Sequence, residues 1–359
     1  MKETIMIISF QNQFGYHTDL NNYCKYLKDK FNIIFLSVDE GLEKLTIDNV
    51  ENIYISNKFK KIKLIYEFYK NIKKINKDRT PKYIFVKYFK GCSLIPATGI
   101  NLKGCILDIR TGSVYQDNIK RRIENLIIKI ESKFFINITV ISKEIADLLG
   151  LKKAKEIPLG GKVFNGISLN EKLDYKRLDL IYVGTLSGRK IEDTVEAFNV
   201  LSNKYKGKSL SYTIITNSES EDEKNKIMKL INENKYNNIR FIGRIQNEKL
   251  GEYLKECNVG ISYIPITDYY TYQPPTKTYE YLFNGLFTIA TNTIANKKII
   301  NSYNGILIDD SVESFTNNLD DLYCNKERLN IKRSEIHNTV KENSWENICN
   351  DLYNYIISI

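Results

Sequence analysis

Residues 273–290 read Gln-Pro-Pro-Thr-Lys-Thr-Tyr-Glu-Tyr-Leu-Phe-Asn-Gly-Leu-Phe-Thr-Ile-Ala. Two prolines stiffen a loop, a helix is predicted to begin at about Thr276, and Gly285 ends it before an apolar run that has the pattern of a buried strand. Such a helix directs its free backbone N–H groups forward, with Lys277 and Glu280 on its first turn. Cations and N–H groups suit phosphates, and a carboxylate suits ribose hydroxyls. The segment therefore predicts a nucleotide-diphosphate site.

This segment resembles the donor-binding motif of the family-4 retaining glycosyltransferases, which are glycosyl transferases of group 1 and have the GT-B fold. In that family a Pro-x-Lys-x-x-Glu-Tyr-x-x-x-Gly run binds the nucleotide sugar, and residues 275–285 match this run. The resemblance implies that Glu280 holds the ribose and that Thr276 and Lys277 lie near the phosphates. The family usually has a second glutamate that touches the sugar, and Tyr272 stands at that position here. Without the resemblance, the Lys and Glu side chains would be interpreted as an exposed ion pair on a helix.

The composition sets the outer limits on fold class. A chain of 359 residues is longer than one hydrophobic core usually serves, and a hydrophobic content of 42% supplies material for two cores. The six cysteines are scattered without paired spacing, so they are predicted to be buried thiols in a reducing compartment and neither a zinc site nor a disulfide set. The sequence contains no signal-peptide pattern and no stretch of transmembrane length. These features predict a cytosolic protein of two domains.

The formal net charge of +10 is concentrated in residues 58–90. This segment carries twelve basic side chains against only Glu67 and Asp78, and aromatic residues are interleaved with them, among them Tyr66, Phe68, Tyr69, Tyr88 and Phe89. Such a mixture suits an anionic membrane surface, near which each basic residue contributes about 1 kcal/mol. Nucleic acid is a weaker match, and no nucleic-acid partner is predicted. The alternative interpretation is a solvated helix face in a lysine-rich protein.

Short apolar runs alternate with helical stretches along the whole chain. The runs have the near-continuous apolar pattern of strands that are buried on both faces, which indicates parallel sheets covered by helices. Two such series in tandem predict two Rossmann-like halves. The predicted strands are Ile5–Phe10, Ile33–Val38, Asn52–Ile55, Tyr83–Val86, Gly104–Leu107 and Ile138–Ile141 in the first half, and Leu178–Val183, Ser211–Thr216, Ile239–Ile242, Val259–Tyr263 and Phe287–Ala290 in the second.

A turn at Pro158-Leu159-Gly160-Gly161 resembles the turn that precedes the interdomain linker of GT-B enzymes. The predicted fold class is accordingly α/β, a GT-B fold of two Rossmann-like domains whose parallel sheets face each other across a cleft. The expected parts are an acceptor domain at 1–162, a nucleotide-sugar domain at 163–342 and a terminal helix at 343–359 that crosses back to the first domain. Trp345 in that helix is predicted to be a packing anchor.

In open parallel sheets ligands bind beyond the carboxyl ends of the strands, so the residues that follow each strand are candidates for the site. After the strand 178–183 comes Gly184-Thr185-Leu186-Ser187-Gly188-Arg189-Lys190. Glycines let the backbone approach a phosphate, and Arg189 and Lys190 can neutralise a diphosphate as it leaves. The resemblance assigns Lys190 to a basic position of the family. Thr185 stands where many members have an arginine, and Arg189 is the candidate substitute.

Gly243 and Arg244 follow the strand 239–242. They resemble a turn of the family whose backbone meets the nucleotide base. A purely structural turn at Gly243 is the alternative, and backbone contacts leave UDP, GDP and ADP sugars all open.

The loop after the first strand contains Gly15 and His17. The family has a glycine-rich loop here that approaches the donor phosphate, which implies that role for Gly15. His17 is a candidate general base, although a loop histidine without a visible partner more often has no such role. The helix that follows is predicted to be capped by Thr18 or Asp19.

Asp108 and Arg110 follow the predicted strand that ends at Leu107. A carboxylate and a guanidinium at a strand end can grip a polar substrate or pair with each other. Family members frequently have His-Asp at this point, so the resemblance implies a catalytic place for Asp108, with Leu107 at the histidine position. The alternative is a buried Asp–Arg pair that fixes the loop.

The resemblance implies a retaining glycosyltransferase that needs no cofactor and no metal ion. The expected donor is a nucleotide sugar, and the expected acceptor is a glycan or a lipid-linked oligosaccharide of surface polysaccharide synthesis, at the inner face of the cell membrane. Two alternatives remain. A sugar-nucleotide epimerase of GT-B fold would need more acid–base carboxylates and histidines than this chain offers. A sugar-nucleotide-binding protein without catalysis would be consistent with Tyr272 and Thr185.

Overall fold

The chain forms two compact units in a computed structural model that describes residues 2–216, 221–246, 249–273 and 275–359. Unit 1 comprises Met1–Gly160 and Trp345–Ile359, and unit 2 comprises Gly161–Ser344. No helix within the described ranges is both long enough and apolar enough to cross a lipid bilayer.

Unit 1 is built on a parallel sheet. Its strands, within the described residues, are β1 (Glu3–Ser9), β2 (Phe31–Asp39), β3 (Val50–Ser56), β4 (Tyr83–Lys87), β5 (Cys105–Ile109), β6 (Asn137–Val140) and β7 (Lys155–Glu156). They pair in parallel in the order β3-β2-β1-β4-β5-β6-β7. The order reverses between β1 and β4, which makes the gap between their carboxyl ends the switch point where ligands bind in such sheets. The helices of this part are α1 (Thr18–Leu27), α2 (Lys61–Arg79), α3 (Asn118–Ser132) and α4 (Lys143–Leu149).

Unit 2 repeats the scheme with a second parallel sheet. Its strands, within the described residues, are β8 (Leu178–Gly184), β9 (Leu210–Thr216), β10 (Ile239–Ile242), β11 (Val259–Ser262), β12 (Phe287–Thr291) and β13 (Gly305–Ile308). The order is β10-β9-β8-β11-β12-β13, so the switch point lies between β8 and β11. The helices are α5 (Ile191–Lys204), α6 (Glu221–Asn232), α7 (Leu250–Glu256), α8 (Thr276–Phe283), α9 (Ile294–Lys297), α10 (Val312–Cys324) and α11 (Arg333–Asn338).

The last helix, α12 (Trp345–Ile357), belongs to unit 1 and packs on α1. The indole of Trp345 is 2% exposed and meets the ring of Tyr23 edge to face, with the ring centroids 6.1 Å apart. A side chain at Gly160 would collide with this indole, since a Cβ there would lie 2.5 Å from it. The prediction that Trp345 is a packing anchor is therefore confirmed.

Buried polar groups hold α8 against the sheet of unit 2. The Thr278 hydroxyl lies 2.8 Å from that of Ser262 on β11 and donates to the Asn296 side-chain oxygen at 2.8 Å. The Tyr281 hydroxyl accepts a hydrogen bond from the Val183 N–H at 2.9 Å. All of these side chains are buried, so each hydrogen bond would be costly to leave unmade and α8 is fixed in place. This anchoring sets the position of the first turn of α8 beside the switch point.

The prediction of two Rossmann-like α/β halves with parallel sheets is confirmed, and every predicted strand is present with ends shifted by at most two residues. All six cysteines are free, and five are buried as expected, but Cys324 is exposed, so the prediction of a buried thiol is wrong for that residue. The expected cap of α1 is wrong, because the Nδ1 atom of His17 accepts the Leu20 N–H at 3.5 Å in place of Thr18 or Asp19.

The basic segment 58–90 differs from its prediction in its aromatic residues. The basic side chains of α2 are exposed, but Phe68 and Phe89 are buried, at 0% and 3% exposure. Their rings pack against Phe10, with centroids 4.9 and 5.1 Å from it. These two rings belong to the core of unit 1, so the prediction that they settle at a membrane interface is wrong.

Candidate active site

A cavity of about 270 Å³ opens at the switch point of unit 2. The loop after β8, the residues at the end of β11 and the first turn of α8 all contribute to its wall. Since the strands are parallel, their carboxyl ends meet at this one edge. The lining residues are Tyr182, Gly184, Thr185, Arg189, Ser262, Tyr263, Ile264, Tyr270, Gln273, Pro275, Thr276 and Lys277.

Arg189 enters this cavity supported by an aromatic ring. Its guanidinium lies over the ring of Tyr270, with the guanidinium carbon 4.4 Å from the ring centroid. The turn before it is tied down because the Gly188 N–H donates to the Glu223 carboxylate at 3.0 Å. A cation held over an aromatic face is attracted by about 0.5–2 kcal/mol, depending on its desolvation. Arg189 is therefore positioned as a fixed positive charge on the cavity wall.

Lys277 supplies a second positive charge on the first turn of α8. Its side chain runs beside Gly184, where a Cβ atom would lie 3.0 Å from the lysine Cε and 2.9 Å from the Tyr182 hydroxyl. Glycine at position 184 thus leaves room for the lysine to lie along the strand end. The Lys277 ammonium lies 3.7 Å from the Glu280 carboxylate one turn further along the helix.

The N-terminus of α8 points its free N–H groups at the same cavity. Pro275 precedes the helix without a side-chain cap, and Pro275, Thr276 and Lys277 all line the cavity wall. Uncapped N–H groups and the helix dipole together favour an anion at this place. Pro274, the other proline of the motif, lies outside the described residues.

A second cavity of about 250 Å³ lies beside the first. Gly184, Thr185 and Lys277 line both cavities. The far wall includes Arg244, together with Thr216, whose buried hydroxyl has no hydrogen-bond partner among the described residues. Side by side, the two cavities reach the range of about 300–1,000 Å³ that is usual for ligand pockets.

Three predicted site residues of unit 2 lie outside these walls. Glu280 is not among the lining residues of either cavity, but Lys277, with which it forms an ion pair, lines both. Lys190 is exposed and has left-handed backbone, with φ of +51°, directly before α5. Gly243 is exposed, and no atom lies within 4 Å of where its Cβ would be, so packing does not require glycine there. The ligand roles of these three residues stay predictions.

Unit 1 has a buried ion pair at the carboxyl edge of its own sheet. The Arg110 Nε donates to the Asp19 carboxylate at 2.5 Å, and a terminal nitrogen of the same guanidinium donates to the Ile157 carbonyl at 2.6 Å. Both charged side chains are 6% exposed. This pair joins α1 to the loop after β5.

Asp108 differs from its prediction. β5 continues to Ile109, so Asp108 lies inside the strand and not beyond it, and its side chain is 0% exposed. Thr139 on β6 donates to it at 2.7 Å, and Arg110 lies 3.8 Å away. Burial raises the pKa of Asp108 to about 6, against the opposing effect of Arg110. This burial agrees with the alternative of a buried Asp–Arg pair, and the catalytic role of Asp108 stays a prediction.

The loop after β1 is fixed to the loop after β2. Gly15 has a φ of +89°, and a Cβ on it would lie 2.6 Å from the Leu45 side chain, so the fold itself requires glycine there. The Gln13 side chain donates to the Leu42 and Glu43 carbonyls at 3.0 and 3.1 Å. The predicted phosphate contact of Gly15 stays a prediction.

Lys87 and His17 are two titratable residues near this loop, and the sequence did not indicate that they lie close together. Lys87 at the end of β4 donates to the Asn12 side chain after β1, across the switch point of unit 1. Burial lowers the pKa of Lys87 to about 8. Burial, followed by the positive charges of Lys87 and Arg110, lowers the pKa of His17 to about 4.

The depressed pKa of His17 predicts a loss of stability in acid. The folded protein holds His17 neutral, whereas the unfolded chain takes up a proton near pH 6.5, so stability falls as the pH drops from about 6.5 to about 4. Asp108 has the opposite effect. Because its pKa is raised to about 6 in the folded protein, it increases the stability of the protein as the pH falls through that value. Comparing wild type with His17→Asn isolates the histidine contribution, and asparagine still caps α1.

We expect His17→Asn to gain about 2–3 kcal/mol of unfolding free energy relative to wild type between about pH 7 and about pH 4.5, measured by urea unfolding at both values. A difference between the two proteins that does not change with pH would show that His17 is not held neutral.

The tyrosines of the first cavity were also missed. Tyr182 and Tyr263 lie at the ends of β8 and β11, and the Tyr263 hydroxyl donates to Asp193 at 2.9 Å. The rule that strand ends face the ligand could have found these two. Tyr270 lies in a loop, and only its contact with Arg189 in the folded chain identifies it.

Among the described residues no group of three or more His, Cys, Asp and Glu side chains is arranged to hold a metal ion.

Comparisons with known proteins agree with this architecture. The family model of the glycosyl transferases group 1 matches residues 177–325, which include every described wall of both cavities. No curated protein matches the chain in sequence.

Several solved structures have the same fold over nearly the whole chain. The Anabaena protein Alr3699/HepE, solved in complex with UDP-glucose, has a TM-score of 0.73 at 9% identity and covers 99% of this chain and 100% of its own. A Rickettsia africae glycosyltransferase has a TM-score of 0.72 at 15% identity, with coverage of 99% and 98%. The lipopolysaccharide outer core galactosyltransferase WaaB has a TM-score of 0.71 at 11% identity, with coverage of 99% of both chains. The chain therefore has the GT-B fold of these glycosyltransferases, and its residues 177–325 match the family model of the glycosyl transferases group 1.

Proposed function

We propose that the protein is a glycosyltransferase that moves a sugar from a nucleotide-sugar donor to a glycan or lipid-linked acceptor, with retention at the anomeric carbon. The observation that carries the proposal is the pairing of two cations, Arg189 and Lys277, with the uncapped end of α8 around one cavity. A diphosphate requires this combination of charge and N–H donors. The group 1 domain supports the same assignment.

The two cavities divide the donor in our proposal. The diphosphate lies at Gly184 and Lys277, which border both spaces. The nucleoside extends into the second cavity, where Arg244 and the unpartnered Thr216 hydroxyl offer polar contacts, and Glu280 receives the ribose hydroxyls. The sugar takes the first cavity. The complex of the Anabaena protein with UDP-glucose supports a UDP-sugar as the first donor to test.

The transfer breaks the bond between the anomeric carbon and the diphosphate oxygen and forms a bond from that carbon to the acceptor oxygen. Negative charge develops on the leaving diphosphate, and Arg189, Lys277 and the end of α8 stabilise it without reorganising. The acceptor proton passes to an oxygen of the departing phosphate on the same face, which accounts for retention and requires no protein base. In this scheme no metal ion is needed, because protein cations neutralise the leaving group.

The test is thermal unfolding of the protein against UDP-, GDP-, ADP- and CMP-sugars and the free nucleotides. A ligand at about one hundred times its dissociation constant adds about 2.7 kcal/mol, which raises the midpoint visibly. We expect one nucleotide class to stabilise the wild type and Glu280→Ala to lose that shift. Glu221→Ala is the matched control, because Glu221 makes a similar ion pair with Lys224, three positions along α6, at 3.6 Å.

Hydrolysis of the nucleotide sugar that the panel identifies separates the main alternative from an active enzyme. A nucleotide sugar that stabilises the protein but is not hydrolysed, even slowly, would favour a binding protein that has lost catalysis. No shift with any nucleotide at millimolar concentration would overturn the donor site. A shift that survives Glu280→Ala would remove the ribose assignment.

A further inference from the structure

Helix α3 of unit 1 carries an apolar stripe that no described part of the chain covers. Ile119, Ile123, Leu126 and Ile130 are 71%, 51%, 54% and 47% exposed. Their spacing of four, three and four places them within roughly 60° of the helix circumference, at about 100° per residue. Phe134 follows just beyond the helix at 54% exposure.

The opposite face of α3 packs on the protein with both apolar and polar side chains, since Ile128, Glu131 and Ser132 are buried. Glu131 is buried and accepts hydrogen bonds from the Tyr88 hydroxyl at 2.8 Å and from the Gly91 N–H at 2.7 Å. Asn125 accepts the Ser113 N–H at 2.8 Å. A surface helix normally turns its apolar stripe to the core and its polar face to water. In α3 an apolar stripe instead faces away from the protein, so it is available to something outside the chain.

Basic side chains border the stripe. On one side lie the exposed Arg122, Lys129 and Lys133, and on the other the exposed Lys120. The two carboxylates of α3 are turned elsewhere. Glu124 is engaged by Lys90 at 2.9 Å and Glu131 is buried, so the outward face of α3 carries positive charge alone.

The segment next to α3 adds a further exposed apolar side chain. Residues 92–98 contact both α2 and α3 and expose Leu94, which is 57% accessible. The exposed lysines of α2 add further positive charge on the far side of this segment. A protein surface that joins an apolar stripe to cations of one sign is complementary to a lipid bilayer with anionic headgroups.

We propose that α3 is an in-plane membrane helix, which inserts its Ile and Leu stripe into the headgroup region of an anionic bilayer while the flanking Lys and Arg side chains meet lipid phosphates. A second copy of the chain is disfavoured as the occupant, because the basic borders of two identical stripes would repel each other. The inference deepens the proposed function by naming the surface that would bring the enzyme to a lipid-linked acceptor. It does not depend on the donor site.

The experiment is co-sedimentation of the full chain with vesicles of phosphatidylcholine alone and of phosphatidylcholine with about one third phosphatidylglycerol. We expect the wild type to bind the anionic vesicles. The double variant Ile123→Gln/Ile130→Gln should lose about tenfold or more in its partition coefficient, since two apolar side chains no longer insert into the bilayer. Glutamine is a good helix former, so α3 remains helical. The matched control is Val200→Gln/Ile357→Gln, at positions that are 49% and 46% exposed on α5 and α12.

Binding that the control retains and the α3 variant loses supports the proposal. It is overturned if wild type ignores anionic vesicles, if it binds neutral vesicles equally well, or if the α3 variant binds as wild type does. Light scattering of both proteins across a concentration series tests whether a second copy of the chain binds the stripe. A dimer of the wild type that the α3 variant abolishes would identify a second copy as the partner in place of a membrane. The nucleotide-dependent thermal shift should be equal in wild type and the α3 variant, which keeps a failure here distinct from a failure of the donor site.

Discussion

Lys277→Ala should lower kcat for release of the nucleoside diphosphate by roughly 100- to 1,000-fold, since one fixed group that stabilises developing negative charge is worth about that much. Lys277 lines both cavities and sits on the first turn of α8, whereas Arg189 lines the first cavity alone and Arg244 the second alone, so neither arginine takes the place of its charge at the border. The measurement is steady-state release of nucleoside diphosphate from the donor that the thermal panel identifies.

The loss should be catalytic and not structural. Lys277 and Glu280 are 32% and 21% exposed, and an ion pair this accessible contributes about 1 kcal/mol or less to stability. Lys229→Ala on α6 removes an exposed helical lysine away from the cavities and serves as the control. If Lys277→Ala retains activity within about threefold of wild type, far from the expected loss, the diphosphate does not lie beside Lys277 as proposed.

Asp19→Ala should destabilise the protein by about 3–5 kcal/mol, because it leaves the buried Arg110 guanidinium without its closest counter-charge. Asp19 and Arg110 are each 6% exposed and 2.5 Å apart. The remaining carboxylate, Asp108, lies 3.8 Å from the guanidinium, beyond hydrogen-bond distance, so it does not replace the 2.5 Å contact of Asp19. Urea unfolding at neutral pH gives the difference.

Two further variants test the cause of that loss. Asp19→Ala/Arg110→Met removes both charges of this pair and should recover part of the lost stability, because the guanidinium is no longer buried without Asp19, and Asp108 can take up a proton once Arg110 no longer lowers its pKa. Glu51→Ala removes one partner of the Arg79–Glu51 pair, which has a 3.1 Å contact but side chains 57% and 47% exposed. That variant should lose less than about 1 kcal/mol. Equal losses for Asp19→Ala and Glu51→Ala would show that burial of the pair is not the cause.

Local sequence patterns were sufficient for eleven of the thirteen described strands, all except β7 and β13, and for the first turn of α8. A buried parallel strand is a continuous apolar run, and a helix that follows proline and ends at glycine is marked by those residues themselves, so each signal lies within a few positions. The same patterns placed Gly184, Arg189, Thr276 and Lys277 at strand and helix ends, and these four residues line one cavity in the folded chain.

Contacts between distant segments decided the rest. β5 runs two residues beyond its predicted end because β6 continues to pair with it, and this extension buries Asp108 beside Thr139. Arg189 is positioned by its contact with Tyr270. The side of α3 that carries Glu131 faces inward because Tyr88 and Gly91 donate hydrogen bonds to that carboxylate. Helix periodicity alone finds an apolar stripe on α3 but not its direction. The sequence by itself therefore determined most of the elements, their order and the proline-led start of α8. Burial, side-chain direction and the partners of the charged groups depended on tertiary packing, since they are set by residues that are far apart in the chain.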